Sequence, residues 1–335
     1  MTVQGTNTVE NNLQKVVEEL EAARKMQDDW INHGVDFVDL YVEDAGGDWL
    51  EKWGKCEEEL EQIIKKVDVE AVKAAIGICD FGQTELLETA LSSRGDRPQD
   101  SGAGEEVKYK RLSLLGGAIF GAVVTDYLYR EYPELDCDAI STLKARLADN
   151  QKLSEFAKNL KLNELIRRVG SQKATDKNEE NKNLAQTFEA LSGAIYLEFE
   201  RDFFRAGKWL IQQSIERAIL FEGYANGEHL DLTQQSKSTL LNELKRREIL
   251  GADILEAIAI DYLYNRFPES NSSQLTRWKN MLAVKEIFPK DFKAKLGSHY
   301  LELEGNFSRT RDWLVDNFIK TAVDELEEES GDRLN

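Results

Sequence analysis

An internal repeat limits what this chain can fold into more than any other feature. "LGGAIFGAVVTDYLYREYPE" at 115–134 and "LGADILEAIAIDYLYNRFPE" at 250–269 align without a gap at an offset of 135 residues. Leu115/Leu250, Gly116/Gly251, Ile119/Ile254 and Ala122/Ala257 match, a shared "DYLY" and "PE" follow, and the register continues to Lys144/Lys279 and Leu147/Leu282. A second pair, "SGAIYLEFERDFFRAGKWLI" at 192–211 and "LGSHYLELEGNFSRTRDWLV" at 296–315, aligns at an offset of 104. Residues 149–185 therefore correspond to only 284–289, so the second copy has lost a helix and a polar loop. Self-similarity on this scale predicts a duplicated structural unit.

Apolar residues recur at three- and four-residue spacing, and the 335-residue chain holds only four prolines, so the expected fold is all-α. The expected organisation is an acidic helical segment over 1–70, a helical domain over 71–222, and a shortened second domain over 223–335 with an acidic tail. Gly116, Gly117 and Gly121 fall inside the first long helix. Each glycine costs a helix about 1 kcal/mol relative to alanine, so a close helix approach is expected there.

A 41% apolar content suffices for packed cores. No run of 18 uncharged apolar residues is present, so no membrane partner is expected. The N-terminal "MTVQGTNTVENN" lacks the basic and apolar stretches of a secretory signal. The three cysteines are widely spaced and odd in number, which suits a reducing compartment, and a cytoplasmic location is expected. His33, His229 and His299 show no metal-ligand spacing.

The net charge is −19, and residues 1–70 supply −11 of it, with 18 acidic against 7 basic side chains. Such acidity argues against indiscriminate binding to phosphate backbones but leaves room for a local basic face. Val9, Leu13, Val16, Val17 and Leu20 form one amphipathic stripe, and Trp49, Leu50, Trp53, Leu60 and Ile63 a second. Two roles fit this segment: a helical pair packed on the following domain, or an arm that docks a protein partner through Trp49 and Trp53.

"TELLETALSSRG", then "YKRLSLLGGAIFGAVVTDYLYREYP", then "LAQTFEALSGAIYLEFERDFFRAGKWL" resemble the ribonuclease III endonuclease domain. That family reads approximately E-R-L-E-F-L-G-D-A-V-L in its first motif and D-T-V-E-A-L-I-G-A-V-Y-L-D in its second. The resemblance covers about 84–220 well, 240–320 more weakly, and 1–70 not at all. It implies two tandem ribonuclease III-like domains. The family's chemistry is hydrolysis of double-stranded RNA, with Mg²⁺ held by four carboxylates, two from each motif.

Carried onto this chain, those four positions are Ser113, Gly117, Gln186 and Glu189 in the first copy. In the second they are Glu248, Ala252, Lys290 and Lys293. One carboxylate of four remains in each, so no catalytic residue, metal or other cofactor is expected. Lys290 or Lys293 is placed to neutralise Glu248. The apolar socket residues that pair domains in the family correspond to Leu114 and Ile249, and both remain apolar. Pairing of the two copies within the chain and homodimerisation through the first copies both satisfy that feature.

Basic residues expected to contact RNA are Lys110, Arg111, Arg167, Arg168, Lys245, Arg246 and Arg247. They point to phosphate and shape recognition of structured or double-stranded RNA. The resemblance extends to degenerate tandem ribonuclease III proteins associated with chloroplast intron splicing, and to inactive copies built into organellar ribosomes. It implies an inactive RNA-binding cofactor in RNA processing, splicing or ribosome assembly. The alternatives are a protein–protein adaptor that does not bind RNA and an endonuclease with residual activity.

Overall fold

The computed structural model describes residues 69–92, 103–168, 177–216, 218, 240–284, 288–289 and 291–330. The acidic segment with Trp49 and Trp53, and Lys290 and Cys56, lie outside the described residues. The described residues are helical and contain no strand.

A helical stretch over 69–76 leads to α1 (Thr84–Leu91), α2 (Ala103–Glu131), α3 (Cys137–Leu147), α4 (Asn150–Asn159) and α5 (Leu162–Arg168). The first repeat ends with α6 (Lys177–Glu198) and α7 (Phe203–Leu210), which runs into a π-helical turn over Ile211–Ile215. The second repeat holds α8 (Leu240–Arg266), α9 (Ser272–Val284), α10 (Phe292–Glu302) and α11 (Phe307–Leu314). A π-helical turn over Val315–Ile319 and α12 (Lys320–Ser330) follow. Both π turns sit at the same place in their repeats. So do the caps before them: Asp202 accepts from the Arg205 N–H, and Asn306 from the Arg309 N–H, both at 3.0 Å.

Two helix crossings organise the core, α2 on α6 and α8 on α10. Each crossing is built on a glycine pair. A Cβ added to Gly116 would overlap the Glu189 carbonyl oxygen and lie 2.5 Å from the Gly193 nitrogen. In the second repeat, a Cβ on Gly251 would overlap the Lys293 carbonyl and lie 2.6 Å from the Gly297 nitrogen. Backbone therefore packs on backbone at both crossings, which accounts for the helix glycines at 116 and 251. Around the first crossing, Phe120 and Phe188 meet edge-on at 5.7 Å, and Phe156 of α4 lies 5.6 Å from Phe188.

The two crossings pack on each other chiefly through α2 and α8, and residues from 69 onward form one compact unit. By length and composition α2 is apolar enough to cross a membrane, from Gly104 to Glu131. Two thirds of that apolar window is buried against neighbouring helices, with Leu112, Leu115, Ile119 and Val124 fully enclosed. This is the pattern of a central core helix with neighbours on several sides.

Contacts between the repeats are reciprocal. Arg111 of α2 donates to the carbonyls of Phe267 (2.7 Å), Tyr264 (2.8 Å) and Ser270, with its guanidinium over the Tyr264 ring. Arg246 of α8 donates to the carbonyls of Pro133 and Tyr129, both at 2.9 Å, and lies over the Tyr129 ring. Each arginine thus caps the C-terminal end of the other repeat's long helix, where carbonyls lack intrahelical donors and the helix dipole is negative. Phe203 and Phe307, equivalent in the two repeats, stack at 4.3 Å with an interplanar angle of 8°.

The glycines are not interchangeable. Gly116→Ala is expected to destabilise the fold by about 1–3 kcal/mol through overpacking. Gly121→Ala, whose Cβ would meet only the Lys144 side chain at 3.6 Å, is expected to be neutral or to stabilise by up to about 1 kcal/mol. Urea denaturation of the two variants beside the parent checks the difference.

Candidate functional site

In the first repeat the helix crossing brings together the positions that the sequence marks as metal ligands. Ser113 lies on α2, Gly117 one turn later, and Gln186 and Glu189 on α6. The Ser113 hydroxyl donates to Glu189 Oε2 at 2.8 Å. A Cβ at Gly117 would lie 3.2 Å from Glu189 Oε1. Gln186 is half-buried one turn before Glu189. Next to them Tyr109 is buried, its hydroxyl 3.3 Å from that of Thr187. Burial pushes the Tyr109 phenol well above its ordinary pKa.

This arrangement does not fit a divalent metal. A hard cation needs several oxygen ligands, and the pocket supplies one carboxylate with one of its oxygens already engaged by Ser113. Burial raises the Glu189 pKa above the ordinary carboxylate value, and the Ser113 hydrogen bond only partly opposes it. Among the described residues no three His, Cys, Asp or Glu side chains are grouped to hold a metal.

The second repeat separates its corresponding residues. Glu248 and Lys293 are exposed, Ala252 is half-buried, and Lys290 lies outside the described residues. The expected neutralisation of Glu248 by Lys293 is not found: among the described residues no ion pair joins them. Asp253, one residue past the ligand position, turns toward the first repeat. It accepts from Thr125 Oγ1 and Lys144 Nζ, both at 2.5 Å, and is 8% exposed.

The expected RNA contacts need correction at two positions. Arg111 and Arg246 are 4% and 6% exposed. Their terminal nitrogens donate to carbonyls of the opposite repeat, with Arg246 also pairing with Glu243 at 3.3 Å and its buried Nε left without a partner, so neither can reach a phosphate without opening the interface. Lys110 pairs with Glu106 at 2.6 Å, and Arg247 with Glu243 at 2.9 Å, both at partly exposed positions. Lys245 is exposed. Arg167 and Arg168 close α5, and their side chains lie outside the described residues. Leu114 and Ile249 are half-buried against the shared core. One sequence signal for the arginine role existed: Arg111 and Arg246 recur at the same repeat position, one residue after Lys110 and Lys245.

Two measurements follow from this geometry. The folded state holds a proton at Glu189 at pH values where the unfolded chain has released it, so stability falls as pH rises from the ordinary carboxylate range through the raised value. Glu189→Gln removes that fall. Its denaturation midpoint is expected to rise relative to the parent's as pH is raised above the ordinary carboxylate range. Arg246→Met, which leaves buried carbonyls unpaired, is expected to destabilise by about 3 kcal/mol in chemical denaturation.

Residues 110–200 match the ribonuclease III domain family. Several curated proteins named ribonuclease 3 are similar to this chain. The Thermobifida fusca (strain YX) protein is 32% identical over 114 residues, which is 34% of this chain and 46% of that protein. The Acinetobacter baylyi protein is 33% identical over 120 residues, 36% of this chain and 49% of that protein. The Chlorobium luteolum protein is 32% identical over 148 residues, 43% of this chain and 51% of that protein. This chain spans about half the length of the curated relatives it matches. The helical fold, the α2–α6 crossing with its two motifs and these matches agree: residues 110–200 form a ribonuclease III domain.

Proposed function

We propose that this chain is a non-cleaving pair of ribonuclease III-like domains, arisen by duplication, that serves as a binding cofactor in RNA processing in the cytoplasm. The observation that carries this reading is the replaced ligand set. Where the family gathers carboxylates, this chain has Ser113, Gly117 and Gln186 around a single half-buried Glu189, and a lysine and an alanine in the second repeat. The packing of α2 on α8 lets the two repeats pair within the chain, as two ribonuclease III subunits do in the family.

The domain family supports an RNA-related role, because the domain's ordinary substrate is double-stranded RNA. Lys245 and the exposed faces of Lys110 and Arg247 are the cations available for phosphate contact in this reading. A second reading, a protein adaptor without RNA binding, is favoured by the burial of Arg111 and Arg246 and by the net charge of −19.

Incubation with long double-stranded RNA and Mg²⁺ or Mn²⁺ is expected to give no cleavage. Defined products that disappear in Glu189→Ala would refute the non-cleaving reading. RNA affinity across salt separates the other two. Under the cofactor reading log affinity falls steeply with log salt, and Lys245→Ala reduces the slope by about one phosphate contact. Absence of binding at low salt leaves the adaptor reading.

A further inference from the structure

The arginine caps and the stacked Phe203 and Phe307 make the interface between the repeats nearly symmetric, and residues beside that stack break the symmetry in a matched way. Asp126 and Asp261 hold equivalent positions on α2 and α8, and each is served by an arginine from a different direction. At Asp261 the arginine crosses the interface. Arg201 Nε lies 2.9 Å from its Oδ1, and Arg201 Nη2 donates to Asn265 Oδ1 at 3.1 Å. Arg311, from the repeat of Asp261 itself, stands farther off, with Nη1 3.9 Å from Oδ2. At Asp126 the arginine comes from one turn along the same helix, with Arg130 Nε 2.8 Å from Oδ1.

The residues that face these arginines are exchanged to suit. Asn265 is the equivalent of Arg130, and Gly305 the equivalent of Arg201. Arg201 and Gly305 share a left-handed backbone, with φ of 63° and 76°. A Cβ at Gly305 would overlap Arg130 Nη2, so the arginine on α2 already fills the space that a side chain at 305 would enter. An arginine that crosses the interface thus meets asparagine on the facing helix, and an arginine that stays on its helix meets glycine.

A second matched set lies farther along the long helices. Thr125, fully buried, and Lys144 of the first repeat both reach Asp253 of the second at 2.5 Å. The positions equivalent to Thr125 and Asp253 are Ile260 and Ala118, both apolar. Lys279, the equivalent of Lys144, pairs instead with Glu256 of its own repeat at 2.6 Å.

We infer that this interface admits only unlike repeats: the face of the first repeat around Arg130, Lys144 and Arg201 fits a second repeat and rejects another copy of itself. In a pair of first repeats each Arg201 Cβ falls in the space of the other copy's Arg130, and two guanidinium groups of like charge meet. Thr125 and Lys144 then face Ala118, which strands a buried hydroxyl and a cation without their acid. In a pair of second repeats glycine stands opposite Asp261, whose buried carboxylate is left with the more distant Arg311, and Asp253 faces Ile260. Both like pairs are penalised, which is how an interface gains specificity without added affinity. Homodimerisation through the first copies is therefore disfavoured against pairing of first with second. The inference rests on the contacts between the repeats and holds whether or not the protein binds RNA.

The test exchanges the residue sets in the full chain and follows urea denaturation. Asn265→Arg with Gly305→Arg gives both repeats the first repeat's residues, and Arg201→Gly with Arg130→Asn gives both the second's. The first double variant is expected to raise the unfolding equilibrium constant about a hundredfold, and the second about tenfold. Added salt is expected to narrow the loss in the first. All four substitutions together exchange the roles of the repeats and are expected to return the constant to within about tenfold of the parent. Double variants as stable as the parent, or a combined loss equal to the sum of the two, would overturn the inference. One side alone gives an independent check. Asn265→Arg is expected to destabilise, and adding Arg201→Gly, which copies the Gly305–Arg130 arrangement, is expected to recover about tenfold or more. No recovery there would overturn the inference even where the four-substitution variant does not fold.

Discussion

The structure depends on two buried arginines that exchange places across the repeats. Arg111 and Arg246 each leave their own long helix and close the end of the other. A buried guanidinium is costly unless its donors are matched, and the last carbonyls of a helix are unmatched acceptors with the right polarity. The terminal nitrogens and the carbonyls answer each other, while Arg246 Nε stays buried without a partner. The two long helices therefore cannot be separated without stranding both sets of groups, and this joins the repeats more firmly than apolar burial alone.

With that joint fixed, the rest of the interface has room to diverge. The glycine crossings remain the same in both repeats, because a Cβ at Gly116 or Gly251 has no space to occupy. The positions that correspond to the family's metal ligands do not stay the same: in the first repeat Ser113 and Glu189 form a half-buried pair, and in the second Glu248 and Lys293 are exposed. The aspartates beside the Phe203–Phe307 stack diverge as well: Arg201 reaches Asp261 from the other repeat, while Arg130 reaches Asp126 from its own helix.

Much of the fold was legible in the sequence, because it rests on patterns that repeat. Apolar spacing gives the helices, and the ungapped offset between 115–134 and 250–269 gives the duplication. The replaced ligands at Ser113, Gly117 and Gln186 were equally legible, since a serine, a glycine or a glutamine cannot supply a carboxylate in any environment. The basic residues misled, because charge in a sequence does not say whether a side chain meets water or a carbonyl. Arg111 and Lys110 are neighbours in sequence, yet one is buried in the interface and the other pairs with Glu106 on a partly exposed helix face.

The sequence by itself determined the helical class, the repeat, the glycines that let helices touch, and the scarcity of carboxylates at the positions that correspond to the family's metal ligands. These follow from residue type and spacing, which the chain carries into any conformation. Only the tertiary structure decided that the arginines cap helices of the opposite repeat, that Asp253 serves Thr125 and Lys144, and that Glu189 is protonated more readily than an ordinary carboxyl. Only it decided that Arg130 covers Asp126 from its own helix where Arg201 covers Asp261 across the repeats. Each of these depends on which groups residues distant in sequence bring within a few ångströms, and on how much water is left between them.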